Sequence, residues 1–177
     1  MLKRLTLFVI FCVFISCNTE KARQKVEEFR LAQSKTAINT MLDAWHKAAA
    51  DADFDTYFSK MTADAIFIGT DATENWQNAE FKAFSKPYFD KGKAWSFTAL
   101  ERNVFISEYD DIAWFDELLN TQMELCRGSG VVKKVGDTWK IAHYVLSIAV
   151  PNENVKEVVA IKKQYDSIVQ LKLKKEN

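Results

Sequence analysis

From Thr36 onward, the apolar residues Ile38, Met41, Leu42, Trp45 and Ala49 recur three and four positions apart. That spacing predicts an amphipathic helix, with Thr36 as its N-cap. Ahead of it, residues 18–35 are mostly charged, with Val26 and Phe29 as isolated apolar points, and read as a tether or a weak helix. Asp53-Phe54-Asp55 opens a second short helix whose apolar side is Tyr57, Phe58 and Met61. "AIFIG" (65–69) reads as a short strand stopped by Gly69. Helical spacing returns over residues 78–91, with Phe81, Phe84, Tyr88 and Phe89 on one side. Pro87 is expected to break or kink that helix, because it removes a backbone donor and crowds the preceding turn.

After Gly92 the pattern changes to strands. "WSFTALERNVFISE", "DDIAWFDELL", "MELCRGSGVVKKV" and "TWKIAHYVLSIAV" read as four strands, the last two joined by a tight turn at Gly136-Asp137. Helices followed by a meander predict an α+β domain, with helices packed on one face of a curved antiparallel sheet. A last helix follows "PNENV", with Val158, Ile161, Tyr165 and Ile168 three and four apart and a lysine-rich end that suits a helix C-terminus. Its stripe is expected to dock on the domain or on a second subunit, since a lipid-binding helix would need a broader apolar face.

The first residues change the picture from fold to location. "MLKRLTLFVIFCVFISC" sets Lys3 and Arg4 before an apolar run from Leu5 to Ile15. That run is too short for a permanent span but suits the h-region of a secretory signal. Phe14-Ile15-Ser16-Cys17 resembles a bacterial lipoprotein box, in which the Cys17 thiol receives the lipid and a small Ser16 permits cleavage before it. The expected organisation is a signal peptide (1–16), a tether (17–35), a globular domain (36–153) and a C-terminal helix (154–177). The expected location is the cell envelope, on the periplasmic side or facing the outer membrane, with the membrane as a partner through the N-terminal lipid.

Composition narrows the chemistry. About 160 residues after cleavage suffice for one buried core. The 24 basic and 24 acidic residues balance, which leaves no field for collecting nucleic acid. Only Cys17 and Cys126 would remain in the mature chain, so an acylated Cys17 leaves no internal disulfide. Two histidines, His46 and His143, without CxxC or HExxH spacing, argue against a metal site, and no cofactor is expected.

"FIGTDATENW", "AWFDE", "CRGSG" and "WKIAHYVLSIAVPNE" occur in that order, and together they resemble a SnoaL-like subgroup of the nuclear-transport-factor-2-like superfamily. The resemblance covers roughly residues 36–153. It implies a cone-shaped fold, with a strongly curved antiparallel sheet wrapped around N-terminal helices to leave a cavity. Relatives include ketosteroid isomerase, polyketide cyclases and limonene epoxide hydrolase, and also non-enzymatic binders, so fold alone does not choose an activity. Many relatives place a second His two residues after the position matching His143; here that position is Val145.

Several residues carry candidate chemistry. Asp71 and Glu74 could be a carboxylate pair at the pocket mouth, or a capping box for a following helix. Asp116 and Glu117 point to opposite faces of their strand, so only one can face the cavity. Centring the hairpin turn on Thr121-Gln122 sets Asp116 opposite Arg127 and Glu117 opposite Cys126. His143 shares a strand face with Trp139, Ile141, Val145 and Ser147, and reads as a hydrogen-bonded core residue or as a group that acts as general base or binds a ligand carbonyl; Glu117 on the same face would make the two an acid–base pair. Cys126 reads as a small buried hydrophobe. Gly128 and Gly130 are expected to spare room near the curve. The expected ligand-binding set is Trp76, Phe115, Glu117, Arg127 and His143, with His143, Glu117, Asp116 and Asp71 as the catalytic candidates.

Three functions follow from this. The first is a lipid-anchored envelope protein that binds a small, largely apolar molecule. The second is an isomerase, dehydratase or cyclase using a cavity base. The third is a scaffold that forms a homodimer through its sheet. An enclosed pocket holding one desolvated base favours the enzyme, and a filled core favours the scaffold.

Overall fold

The computed structural model describes residues 2–176, with side chains described for residues 20–175. The side chains of the expected leader and of Cys17 lie outside the described residues. The first element, α1 (Leu2–Ala50), is one continuous helix. Thr36 is therefore not an N-cap. It sits mid-helix, with its Oγ1 donating to the Ala32 carbonyl at 3.0 Å. Glu, Lys, Arg, Gln and Ala dominate the stretch before it, with neither Gly nor Pro, so nothing local stops the helix.

Asp53 caps α2 (Phe54–Ser59), its carboxylate accepting from the Thr56 amide at 3.0 Å. Met61, expected on that helix, instead begins β1 (Met61–Ile68). A short β2 (Asn75–Gln77) leads into α3 (Asn78–Asp90), which starts with a capping box of Gln77 and Glu80. Asp71 and Glu74 form no such box; they lie in the β1–β2 turn, and a strand follows it. Pro87 does not break α3. It falls in the last turn on an exposed face, where the carbonyl it leaves unbonded meets water. The buried side of α3 is Asn78, Phe81, Ser85 and Phe89, while Phe84 and Tyr88 are exposed.

The remaining strands are β3 (Phe97–Ile106), β4 (Ile112–Thr121), β5 (Glu124–Val135) and β6 (Thr138–Ile148). They complete a six-stranded sheet in the order β2-β1-β6-β5-β4-β3, antiparallel except that β1 lies parallel to β6. The fold is α+β, a curved sheet wrapped around N-terminal helices. The core is aromatic. Trp45 of α1 stacks on Tyr57 with ring centroids 5.0 Å apart and meets Tyr144 edge-on at 4.8 Å, and Phe67 stacks on Phe81 at 4.0 Å.

Two register features decide which side chains look inward. The β4–β5 turn centres on Gln122-Met123, with Thr121 opposite Glu124. Thr121 Oγ1 accepts from the Met123 amide and donates to the Glu124 carbonyl, each at 2.9 Å, and fixes that turn. Asp116 therefore faces Ser129 and Glu117 faces Gly128, correcting the expected partners Arg127 and Cys126. In β6, the partner of Val131 is His143 and that of Val132 is Ile141, so Ala142 is an extra residue. This bulge flips the side-chain alternation. Trp139 and Ile141 point inward before it, Tyr144 and Leu146 after it, and His143 moves to the outer face.

The last helix, α4 (Val155–Glu176), follows a short 3-10 turn. Its stripe is not docked on the domain: Ile161 and Tyr165 are 75% and 70% exposed.

Candidate functional site

Glu117 is the organising residue of the interior. It points inward from the middle of β4, is fully buried, and is reached from three elements. His46 Nε2 of α1 lies 2.8 Å from Oε1, and the Tyr144 hydroxyl of β6 donates to the same oxygen at 2.9 Å. Arg102, the cross-strand partner of Glu117 on β3, donates from Nε to Oε2 at 2.8 Å. Arg102 Nη1 then donates to Asp43 Oδ1 at 2.8 Å, which ties the sheet back to α1. Gly128, the partner of Glu117 on β5, makes this convergence possible. A Cβ at Gly128 would lie 2.2 Å from the Tyr144 hydroxyl, so any side chain there would displace the tyrosine from the carboxylate.

The electrostatics follow from the contacts. Burial alone would raise the Glu117 pKa, but hydrogen bonds and charge from His46 and Arg102 outweigh it and hold the carboxyl below its usual value. Burial, reinforced by the Glu117 charge, pushes the Tyr144 phenol well above its usual value. Burial would lower the Arg102 pKa, yet Glu117 and Asp43 raise it overall. With Glu117 ionised, His46 must carry a proton on Nε2. The arrangement is an ionised carboxylate already engaged by three donors. It is poorly suited to accept a proton from a bound molecule.

Two clefts open to a ligand adjoin this cluster, beside larger grooves along α1 of about 610 and 550 Å³. A cleft of about 110 Å³ opens between β1, β2, α3 and the start of β3, walled by Trp76, Phe81, Phe84, Trp95 and Phe97. Phe67 and Phe97 separate it from the polar cluster, their rings 5.6 Å from Tyr144 and 5.8 Å from His46 respectively. A second cleft of about 310 Å³ lies along α1 and β3, lined by Asp43, His46, Lys47 and Thr98 among others.

The structure separates the expected site residues. Trp76 lines the aromatic cleft. Glu117 is in the interior, and Phe115 is core, packed against the backbone of Gly130. Arg127 is on the outer face, more than half exposed, 3.8 Å from Asp116 in a diagonal ion pair. His143 also faces outward, so it cannot pair with the inward-facing Glu117. Asp71 accepts from the Thr73 amide at 2.8 Å and shapes the β1–β2 turn. Cys126 is free and fully buried. Among the described residues, no group of three or more His, Cys, Asp or Glu side chains is placed to hold a metal ion.

The partners that sequence reasoning missed are His46, Arg102 and Tyr144. His46 left one trace, because it falls four residues after Leu42 on the apolar stripe of its helix.

Residues 38–151 match the SnoaL-like domain family. The chain belongs to that family. Solved structures share its fold, among them these three. One is a nuclear-transport-factor-2-like protein of unknown function from Pseudomonas putida, with 14% identity, a TM-score of 0.59, and coverage of 70% of this chain and 92% of that one. Another is a nuclear-transport-factor-2-like protein from Cytophaga hutchinsonii, with 15% identity, a TM-score of 0.55, and coverage of 65% and 98%. The third is a domain of unknown function with a cystatin-like fold from Nostoc punctiforme, with 16% identity, a TM-score of 0.58, and coverage of 80% and 98%. At these identities the likeness carries the fold alone. No curated protein matches the chain.

Proposed function

We infer that this chain is an envelope lipoprotein whose SnoaL-like domain binds a small, largely apolar molecule without transforming it. The aromatic cleft carries this reading: its walls are Trp and Phe rings, and the ionisable cluster sits behind them with its carboxylate oxygens occupied. A binder needs a shaped apolar wall, whereas a proton-transfer enzyme needs a base that touches the substrate. The leader supports the location, since Cys17 follows a cationic start and an apolar run in the order lipoprotein processing needs.

The test is a mass-spectrometric inventory of molecules retained by the purified protein, compared with Trp76→Ala. A compound held by the wild type and lost in the variant supports binding at the cleft. Identical inventories would refute it. Export and lipidation are read separately: Cys17→Ala should move the protein out of the membrane fraction.

Acid–base turnover is the second reading, favoured by the 310 Å³ cleft that reaches His46. It predicts conversion of a retained compound on incubation, abolished in His46→Gln. A homodimer through the sheet is compatible with both readings. Phe105, Trp114, Val131, His143 and Ile66 lie side by side across the outer face, and Phe105 stacks on Trp114 at 5.9 Å.

A further inference from the structure

Clefts that hold anionic molecules present cations, and the aromatic cleft presents none. None of its lining residues is Lys, Arg or His, and its one charged side chain is Glu74 at the rim. Gln122, the lining amide, has its carbonyl oxygen engaged by the Ser96 amide at 3.1 Å.

Glu74 is held in place rather than free to swing away. Its Oε2 accepts from the Asp71 amide at 3.1 Å, and its own carbonyl accepts from the Gly69 amide at 2.9 Å. The carboxylate lies close over Gly69, where an added Cβ would be 2.1 Å from Oε2. Glycine at that position is what lets the carboxylate fold down onto the edge of the cleft.

The walls suit a positive charge as well. Trp76 and Trp95 each lie nearly parallel to Phe81, at 5.6 Å and 5.8 Å between ring centroids, and Phe84 stacks on Trp76 at 4.5 Å. Aromatic faces carry negative quadrupole density, and a Trp-rich wall attracts alkylammonium groups that are easily desolvated. The volume, about 110 Å³, is well below the roughly 300–1,000 Å³ of sites for drug-sized molecules. It matches a headgroup with a few methyl groups.

We propose that the aromatic cleft selects small organic cations of the quaternary or tertiary ammonium class, with Glu74 as the counter-charge and Trp76 and Trp95 as the wall. This rests on the reading of the cleft as a ligand site and adds the sign of the ligand's charge. The alkyl groups satisfy the apolar walls, and the delocalised positive charge needs no directed hydrogen bond. An anion would meet Glu74 with no compensating cation.

The experiment is calorimetric titration of the full chain, purified in detergent, with two probes of the same shape: choline, and the neutral alcohol in which a carbon replaces the ammonium nitrogen. Choline should bind about tenfold more tightly than the alcohol. Glu74→Gln should weaken choline several-fold and leave the alcohol unchanged, and Trp76→Ala should weaken both. Equal or tighter binding of the alcohol, lost in Trp76→Ala, would overturn the cation inference while leaving an apolar-ligand cleft in place. Binding of neither probe overturns the cation inference. A retained-compound inventory unchanged by Trp76→Ala would also remove the cleft reading beneath it.

Discussion

Replacing Glu117 by Gln tests the interior most directly, because it keeps the shape and removes only the charge. Three donors converge on the carboxylate: His46 Nε2, the Tyr144 hydroxyl and Arg102 Nε. An amide has one acceptor oxygen, so its NH₂ must face at least one of these donors, and Arg102 keeps only Asp43 as a counter-charge. Removing one partner of a buried ion pair costs roughly 3–5 kcal/mol. For a domain of this size that corresponds to a melting temperature lowered by about 6–20 °C.

The effect should depend on pH with a definite sign. The folded Glu117 pKa is depressed, so the unfolded chain binds more protons as the pH falls. The contribution is complete above the unfolded value of about 4.3 and is lost as the pH drops through the lower folded value. The gap between wild type and Glu117→Gln in urea denaturation should therefore be widest near pH 7 and narrow towards pH 3. A difference below about 1 kcal/mol at pH 7, or one that does not narrow with acid, would refute the argument.

Gly128→Ala should destabilise by about 1–3 kcal/mol through collision with the Tyr144 hydroxyl, and Tyr144→Phe in the same chain should recover part of that loss in a double-mutant cycle. Ala at either Asp116 or Arg127 should change stability by less than about 1 kcal/mol in urea melts, because the pair is exposed. Trp114→Glu, which puts a charge in the outer apolar row, should convert a sheet-mediated dimer to a monomer in sedimentation velocity; an unchanged mass in either state would exclude that interface. Truncation after Asn154 should cost less than about 1 kcal/mol in a thermal melt, since the α4 stripe is exposed.

The strands and most helices were legible in the sequence because their signals are local. β3 to β6 each carried their own alternation, and Asp53 announced α2. What could not be read were the relations between elements. The hairpin register turned on whether Thr121 sits in the loop or closes it, and its hydroxyl decides this through two hydrogen bonds that spacing does not reveal. The bulge at Ala142 falls inside an uninterrupted strand pattern with no Gly or Pro to mark it, so simple alternation places His143 on the inner face. Glu117 was recognisable as one of two adjacent carboxylates with opposite orientations. Its partner His46 lies 71 residues earlier on a helix, and that contact comes from the way α1 crosses the sheet.

The same contacts explain how an expensive polar cluster fits the proposed binding function. Arg102, Glu117 and Tyr144 come from three strands, and His46 and Asp43 come from the helix they enclose. Arg102 Nη2 is left without a partner, but the remaining bonds of the network form only when all these elements are in register, which penalises any slip or opening between α1 and the sheet. Phe97 and Phe67 rest on that network through His46 and Tyr144, and both also line the aromatic cleft. The cluster therefore fixes the floor of the cleft from behind. A rigid floor lowers the entropy lost when a small ligand settles on it, and that gain requires no catalytic use of the carboxylate.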